Sequence, residues 1–525
     1  MQSTFHGLET ARRAMMTQQS ALHTTGHNIA NANTPGYTRQ RVNFTQTEPY
    51  PSIGMNAPRV PGHLGTGVQA GSIQRVREAF LDVQFRNENN KVGYWDARYN
   101  ALEKMEDVLN EPSEQGLSRQ IDMFWTALQD LSVDPEDSGA RSVVRQRATA
   151  VAETFNFLHS SLTTIQSDYQ NEISVTEDEV NAILHRLESV NAQIRETEPH
   201  GYVTNDLYDE QDHLLDQLSS IVNIKVEREK SGGQPNPAAE GAVTVWLVND
   251  QGQPINDIKL VDGQGIESKK KVDISFGEDG NYVNGFRVLD EDFEGDIESA
   301  PNLLDMMPRG EMRALIEAFG HGPDAENIQG LYPDMLANLD EMAFVFATHL
   351  NEIHSDGYTL ATDNQEAQQG ILLFDLESVP ETGVGAASQI KLSAAIQTSL
   401  NNIAAATGGP DGVFSGDGSN AKRLADAKDD PLTFNDDLAT VSSFYQGVIG
   451  QMAVDTSEAM RMVRSNESLR DSVDYRRQSV SNVSLDEEMT MMIQYQHAYN
   501  AAARNITMVD EMLDRIINGM GVVGR

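Results

Sequence analysis

Cysteine is absent from all 525 residues, and aromatic side chains make up only 6 % of them. The first absence excludes disulfides, thiolate catalysis and cysteine-based zinc or iron–sulfur sites. It is compatible with an extracellular life, where a stray thiol would cross-link. The few aromatics, beside a hydrophobic content of 39 %, fit a chain with much helix and thin cores. No run of about 18 apolar residues exists, so no membrane-spanning helix and no membrane insertion are expected. The opening stretch, "MQSTFHGLETARRAMMTQQSALHTT", lacks an apolar segment followed by a small-residue cleavage site, so no conventional secretory signal is expected.

Positive charge is scarce too: 39 Lys and Arg stand against 79 Asp and Glu, a formal net charge of −40. The deficit is unevenly placed. Residues 1–60 hold five Lys/Arg and two Asp/Glu, residues 481–525 hold three and six, and the two ends cancel. The whole −40 therefore lies in residues 61–480. Phosphate neutralisation needs clustered positive charge, so nucleic-acid binding is not expected. The acidic middle reads as a solvated, self-repelling surface. The near-neutral ends read as surfaces meant to be covered. A chain this long exceeds one compact core and suggests roughly two to four domains.

What the chain has in quantity is periodicity. Leu8, Met15, Leu22 and Ile29 recur at intervals of seven near the start. Near the end, Leu485, Met489, Met492, Tyr499, Ala503, Ile506, Leu513, Ile517 and Met520 fall on a register of three- and four-residue steps, which Gln496 and Asp510 interrupt. Both are heptad stripes of the coiled-coil kind. An ordinary core-facing helix gives the same pattern. Placement at the two extremes, where chains usually fray, favours stripes that subunit contacts cover.

Between them, Leu117, Ile121, Phe124, Leu128 and Leu131 form one helical stripe, ended by Asp134-Pro135. The next starts at Val144 and Ala148, passes Phe155, Leu162 and Tyr169, and resumes from Val180 to Ile194. Continuous from Gly139 to Glu196, it would span roughly 85 Å, a length that suits a fibre or tube. Short β-like runs follow residue 222, among them "AVTVWLV" and "KVDISF", before helical periodicity returns at Leu336. The expected fold is mainly α with an inserted β domain: a long helical rod built from both chain ends, with terminal coiled-coil helices. Three units are expected: residues 1–60 with 480–525 as a terminal polymerisation domain, 61–221 with 325–479 as the rod, and 222–324 as the β insert.

Catalytic signals are weak. "HLNEIH" places His349 and His354 five apart, about 140° around a helix, where a zinc motif needs four. Two solvated helix residues are expected instead. His23 and His27 are four apart, but no carboxylate follows on their face. "GGPDGVFSGDGSN" lacks the Gly-Lys-Ser/Thr of a phosphate loop and the acid series of a calcium loop, and reads as a turn into a helix at Ser419 or Asn420. No metal and no cofactor are expected.

The stretch "NIANANTPGYTRQRV", following the N-terminal stripe, is similar to the N-terminal signature of bacterial flagellar axial proteins, the rod, hook and hook-associated proteins. Asn28, Asn31, Thr34, Gly36, Tyr37 and Arg39 match that pattern. "SVSNVSLDEEMTMMIQYQHAYNAAARNITMVDEMLDRIINGM" resembles the paired C-terminal signature. Internal stretches, "NDLYDEQDHLLDQLSSIVNIKV" and "GDGSNAKRLADA" among them, resemble the hook-associated branch that joins hook to filament. The resemblance implies a secreted, non-catalytic structural protein, exported unfolded through the flagellar type III apparatus to the hook–filament junction outside the cell. It implies self-assembly into a helical tube, with the terminal helices as inner wall. It further implies the hook protein, a neighbouring hook-associated protein on the filament side and an export chaperone as partners. Alternatives are the hook subunit itself and, from another class, a hydrolase carried in the β insert.

Overall fold

The computed structural model describes residues 4–50, 62, 64–111, 113, 116–293, 295, 297–361, 366–408, 414–435 and 437–519. The chain begins with α1 (Thr4–Ala30) and reverses into an antiparallel hairpin of β1 (Gln40–Gln46) and β2 (Val68–Arg75). Three long helices follow: α2 (Ala79–Leu109), α3 (Leu117–Val133) and α4 (Ser138–Thr197). α2 ends at Asn110, whose left-handed backbone (φ 47°) lets its amide bond the Glu106 carbonyl. The Asp137 carboxylate caps α4 by accepting from the Gly139 and Ala140 amides.

α4 is a single helix of 60 residues, about 90 Å long at 1.5 Å per residue. Its two predicted stripes are one. Ile173 and Thr176 are buried between Tyr169 and Val180, so one face stays covered to Ile194. α3 packs on its first half, and α5 (Asn205–Ile221) on its second.

The β region consists of two small sheets. β3 (Ile224–Glu229), β4 (Ala242–Val248) and β5 (Pro254–Val261) form an antiparallel sheet; β6 (Lys270–Phe276) and β7 (Val283–Asp290) form a separate hairpin. Asparagines on α4 bind both. Asn191 donates to the Val243 carbonyl (2.8 Å) and accepts from its amide (3.0 Å), and Asn181 does the same with Val272 (2.9 and 2.8 Å). Each side chain stands in for a neighbouring strand, satisfying backbone groups that burial would otherwise orphan.

α6 (Glu311–Phe319) then packs on α2 and α4, and α7 (Leu331–Asp356) rejoins the rod. The rings of Phe124, Trp125, Phe155, Phe346 and Phe374 meet here with centroids 5.4–6.5 Å apart. Five of the 34 aromatic residues thus meet at one joint. Short elements follow: β8 (Phe374–Asp375), α8 (Ala386–Gln389), β9 (Lys391–Leu392) and α9 (Ala394–Thr398). Next come α10 (Ser419–Asp426) and the hairpin of β10 (Leu432–Phe434) and β11 (Asp437–Ala439). α10 starts at Ser419, as the turn reading expects, with Asp417 accepting from the Ser419 amide. α11 (Val441–Ser481) runs back along α2, and after Asn482–Ser484 the chain ends in α12 (Leu485–Gly519), which lies along α1.

Where the terminal pair meets the rod sits a buried ionic cluster. Asp212 on α5 takes guanidinium contacts from Arg75 of β2 (2.8 Å), Arg86 of α2 (3.0 Å), Arg228 of β3 (3.0 Å) and Arg77 (3.4 Å). Arg477 of α11 reaches Asp216 one turn further along α5. Burial alone would raise the Asp212 carboxyl, but Arg77, Arg75, Arg228 and Arg86 outweigh it and hold it well below the ordinary carboxylate range. Its contribution to stability is therefore present above the unfolded carboxylate value and is lost as pH falls through the depressed folded value. Asp212→Asn leaves these guanidiniums without their shared counter-charge and should cost about 3–5 kcal/mol. Urea unfolding followed by tryptophan fluorescence checks this; an unchanged midpoint would mean the cluster is not the joint.

Candidate assembly site at the paired chain ends

The turn after α1 is built around Asn28, which is 1 % exposed and uses its whole amide. Its Nδ2 donates to the Gln40 carbonyl (2.8 Å) and to Glu488 Oε2 (3.1 Å); its Oδ1 accepts from the Gln40 amide (3.0 Å) and the Tyr37 hydroxyl (2.8 Å). Burial, with Asp209 and Asp206 nearby, pushes the Tyr37 hydroxyl up, so it stays protonated and able to donate. Asn31 closes the helix end, donating to the His27 carbonyl and accepting from the Thr34 hydroxyl. Gly36 has φ 79°, and a Cβ there would lie 3.2 Å from the His213 Cβ. Both the left-handed backbone and the close approach of α5 call for glycine.

Arg39 spans the break between the last two helices. Its amide donates to the Ser481 carbonyl at the end of α11 (2.9 Å), while its guanidinium reaches Glu488 (2.7 Å) and Glu487 (2.7 Å) on α12. Glu488 is 3 % exposed, a buried carboxylate shared by Arg39 and Asn28. It lies within the C-terminal signature, which by itself gives it no role. Its partners lie more than 400 residues away, and no local spacing reports them. No local spacing reports Asp209 either, whose carboxylate accepts from the Thr38 amide 171 residues away.

The predicted stripes divide between an inner and an outer line. On α1 the covered positions are small or polar, Ala11, Thr17, Ala21, Thr24 and Thr25, while Leu8, Met15, Leu22 and Ile29 are half-buried beside them. On α12, Met492, Tyr499, Ala503, Ile506 and Leu513 are half-buried. Leu485 (48 %), Met489 (57 %) and Ile517 (71 %) are exposed. Met520 lies outside the described residues. The outer face also carries Ile493, Met508, Met512 and Ile516, each 45–53 % exposed, which the heptad reading left out. With Leu485 and Met489 they form two runs at four-residue spacing, and α1 adds Phe5 and Met16, 64 % and 57 % exposed. The two runs are separate apolar patches, about 140° apart around α12 with mostly polar exposed residues between them, and among the described residues nothing covers either.

One histidine is placed otherwise than expected. His354 is 0 % exposed rather than solvated, with Nδ1 donating to the Ile371 carbonyl (2.6 Å) and Nε2 accepting from the Ala404 amide (3.0 Å). That pairing requires the neutral ring, and burial lowers its pKa to about 4. His349 pairs with Asp430 (2.9 Å) beside an open cleft of about 630 Å³ whose Ser355 hydroxyl donates to the Glu352 carbonyl. His27 sits 3.0 Å from the Tyr37 hydroxyl, and His23 is exposed. Among the described residues no group of three or more His, Asp or Glu is arranged to hold a metal, and no helix is long and apolar enough to cross a membrane.

Comparison with known proteins meets the same segments. The family "Flagellar hook-associated protein FlgK helical domain" matches residues 102–374. "Flagella basal body rod protein" matches 8–38, and "Flagellar basal body rod FlgEFG protein C-terminal" matches 477–519. The flagellar hook-associated protein 1 of Bacillus subtilis is 42 % identical over 100 % of both chains, and that of Escherichia coli is 22 % identical over 97 % of this chain and 99 % of its own. The flagellar hook junction protein FlgK of Burkholderia pseudomallei superposes with a TM-score of 0.55 at 13 % identity, covering 76 % of this chain and 100 % of that one, which is a likeness of fold.

Two predictions follow from this geometry. Glu488→Ala should speed amide exchange across 28–40 at least about tenfold, because Arg39 and Asn28 lose a buried charged partner. Glu487→Ala, at a carboxylate 63 % exposed, should change it little. Equal exchange in both variants would remove Glu488 from the clamp. The unfolded chain binds a proton at His354 between its ordinary value of 6.5 and the folded value near 4, so stability should fall by ~3 kcal/mol as pH drops across that window. His354→Gln should flatten that slope, whatever its stability at pH 8; urea unfolding at several pH values checks it.

Proposed function

This chain belongs to the flagellar hook-associated protein 1 family, and we propose that it works through its paired chain ends. It is a structural protein of the bacterial flagellum at the hook–filament junction. Within that role, we read residues 1–60 with 480–525 as the assembling unit, 61–221 with 325–479 as the rod, and 222–324 as the β insert. Copies join through the outer faces of α1 and α12 into a helical tube. Repeated contacts that do not close on themselves propagate as a helix. The protein is exported through the flagellar type III route and acts outside the cell, between the hook protein and a hook-associated protein on the filament side. Before assembly, an export chaperone covers α12 by taking its apolar face into a groove. The work is mechanical rather than catalytic, in keeping with the structural relatives.

One observation carries this reading: the outer line of α12 leaves two apolar patches exposed, Leu485, Met489 and Ile493 in one and Met508, Met512 and Ile516 in the other, and α1 exposes Phe5 and Met16, with no cover among the described residues. Patches of this kind on a soluble surface mark interaction sites. Their placement on the two helices that the rod-protein families match supports another axial subunit as the partner.

The test uses one residue from that line. Ile493 is 53 % exposed, so Ile493→Asp should leave the free chain folded but put an unpaired charge in every subunit contact, costing several kcal/mol each. Secreted Ile493→Asp protein should fail to support filaments on hook-bearing cells. Ile266→Asp, on a β-insert residue 79 % exposed, should support them normally. Normal filaments from secreted Ile493→Asp protein would show that the outer line is not the assembly surface.

A further inference from the structure

Methionine occupies two kinds of site in this chain. Away from the terminal helices some of it is core: Met312 is 0 % and Met342 1 % exposed. On the terminal helices it lies at the surface, with Met16 and Met489 57 %, Met508 52 % and Met512 47 % exposed. Three of these side chains belong to the two exposed patches of α12: Met489 sits one turn from Leu485 and Ile493 in one, and Met508 and Met512 precede Ile516 at four-residue steps in the other. Methionine suits a surface that must repack against more than one neighbour, because its side chain is unbranched and its sulfur polarisable. It is also the oxidisable apolar residue. A chain without cysteine has no thiol to react first.

We propose that Met16, Met489, Met508 and Met512 form a redox-sensitive modification site that decides whether a free subunit can assemble; this rests on the outer line being the assembly surface. The co-reactant is a peroxide. A thioether sulfur lone pair attacks one peroxide oxygen, the O–O bond breaks and an S–O bond forms. Sulfur loses two electrons, and hydrogen peroxide leaves as one water after a proton shift. The product keeps the length of the side chain but carries a polar oxygen in place of an apolar edge. Exposed in the free chain, that oxygen is hydrated. Buried in a subunit contact without a donor, even one such group is worth about tenfold in association. Assembly in turn covers the sulfurs, so a subunit is vulnerable before it joins and protected after. Reduction of the sulfoxide restores the thioether, which makes the block reversible.

The experiment treats the purified full-length chain with dilute hydrogen peroxide and maps oxidation by peptide mass spectrometry. Sulfoxide is expected at these methionines under conditions that leave Met312 and Met342 unmodified. Attachment of the treated chain to hook-bearing cells that lack it should fall at least about tenfold, and methionine sulfoxide reductases should restore it. Leucine at all four positions should make the ratio of treated to untreated attachment close to one, each variant being compared with its own untreated sample. Met306, 49 % exposed away from the terminal helices, is the control: Met306→Leu should keep the full peroxide sensitivity. Oxidised chain that attaches as well as untreated chain overturns the proposal. So does a four-leucine variant that loses attachment by the same factor on treatment. If Ile493→Asp still blocks assembly while oxidation does not, only this inference falls; if both assemble, the assembly surface itself is misplaced.

Discussion

Asp212 is the point through which most of the tertiary arrangement is tied. Guanidiniums from β2, the following link, α2 and β3 converge on one carboxylate of α5, and Arg477 brings α11 to the next turn. A buried cluster of this kind is a poor source of net stability compared with apolar packing, because each ion is removed from water. Its value is in specificity. Any displaced strand or helix would leave a buried charge uncompensated, so competing registers are penalised by more than the correct one gains. In a chain of net charge −40, turning these arginines inward also leaves the outer surface acidic. The solvated, self-repelling surface and the ionic joint are two results of one allocation of scarce positive charge.

A second constraint is length. A helix of 60 residues cannot be covered by one partner, so α4 is covered in succession by α3, the β8–β9 region, α6, β6, β4 and α5. The apolar stripe supplies most of that contact. Where strands rather than helices meet it, Asn181 and Asn191 provide the backbone pairing that apolar side chains cannot. The insert is thereby fixed along the spine instead of hanging from its two ends.

Periodicity made the helical part legible. The α4 stripe, the stop at Asp134-Pro135 and the turn before Ser419 are local patterns with local causes, and the structure has them where the spacing puts them. The β1–β2 hairpin was not legible, because "QRVNFTQ" has only two apolar residues and alternates weakly. The contact face of α1 was hidden for a related reason: alanine and threonine allow close helix approach but leave no hydrophobic period to read. His354 was misjudged because its burial depends on the carbonyl of Ile371 and the amide of Ala404, groups with no side-chain signature. The turn motif was visible from its resemblance, but its carboxylate partners, Asp209 and Glu488, are 171 and 460 residues from the atoms that they hold.

Those distant partners explain how the terminal pair can act on the rod. Three residues, Asn482–Ser484, separate α11 from α12, and a break of that length would by itself let α12 swing. Arg39 holds both sides of it, with its amide on Ser481 and its guanidinium on Glu487 and Glu488. The same turn is anchored to α5 through Thr38 and Asp209, and Asp209 shares Arg75 with Asp212. A load applied to α12 therefore reaches the spine through charge-assisted hydrogen bonds in a largely buried setting, where salt screens them weakly. An ion-paired joint with fixed partners admits one register, because any other leaves a buried charge uncompensated. The apolar residues left exposed lie on the outer sides of α1 and α12, while the inner joint is held to a single geometry by ionic contacts.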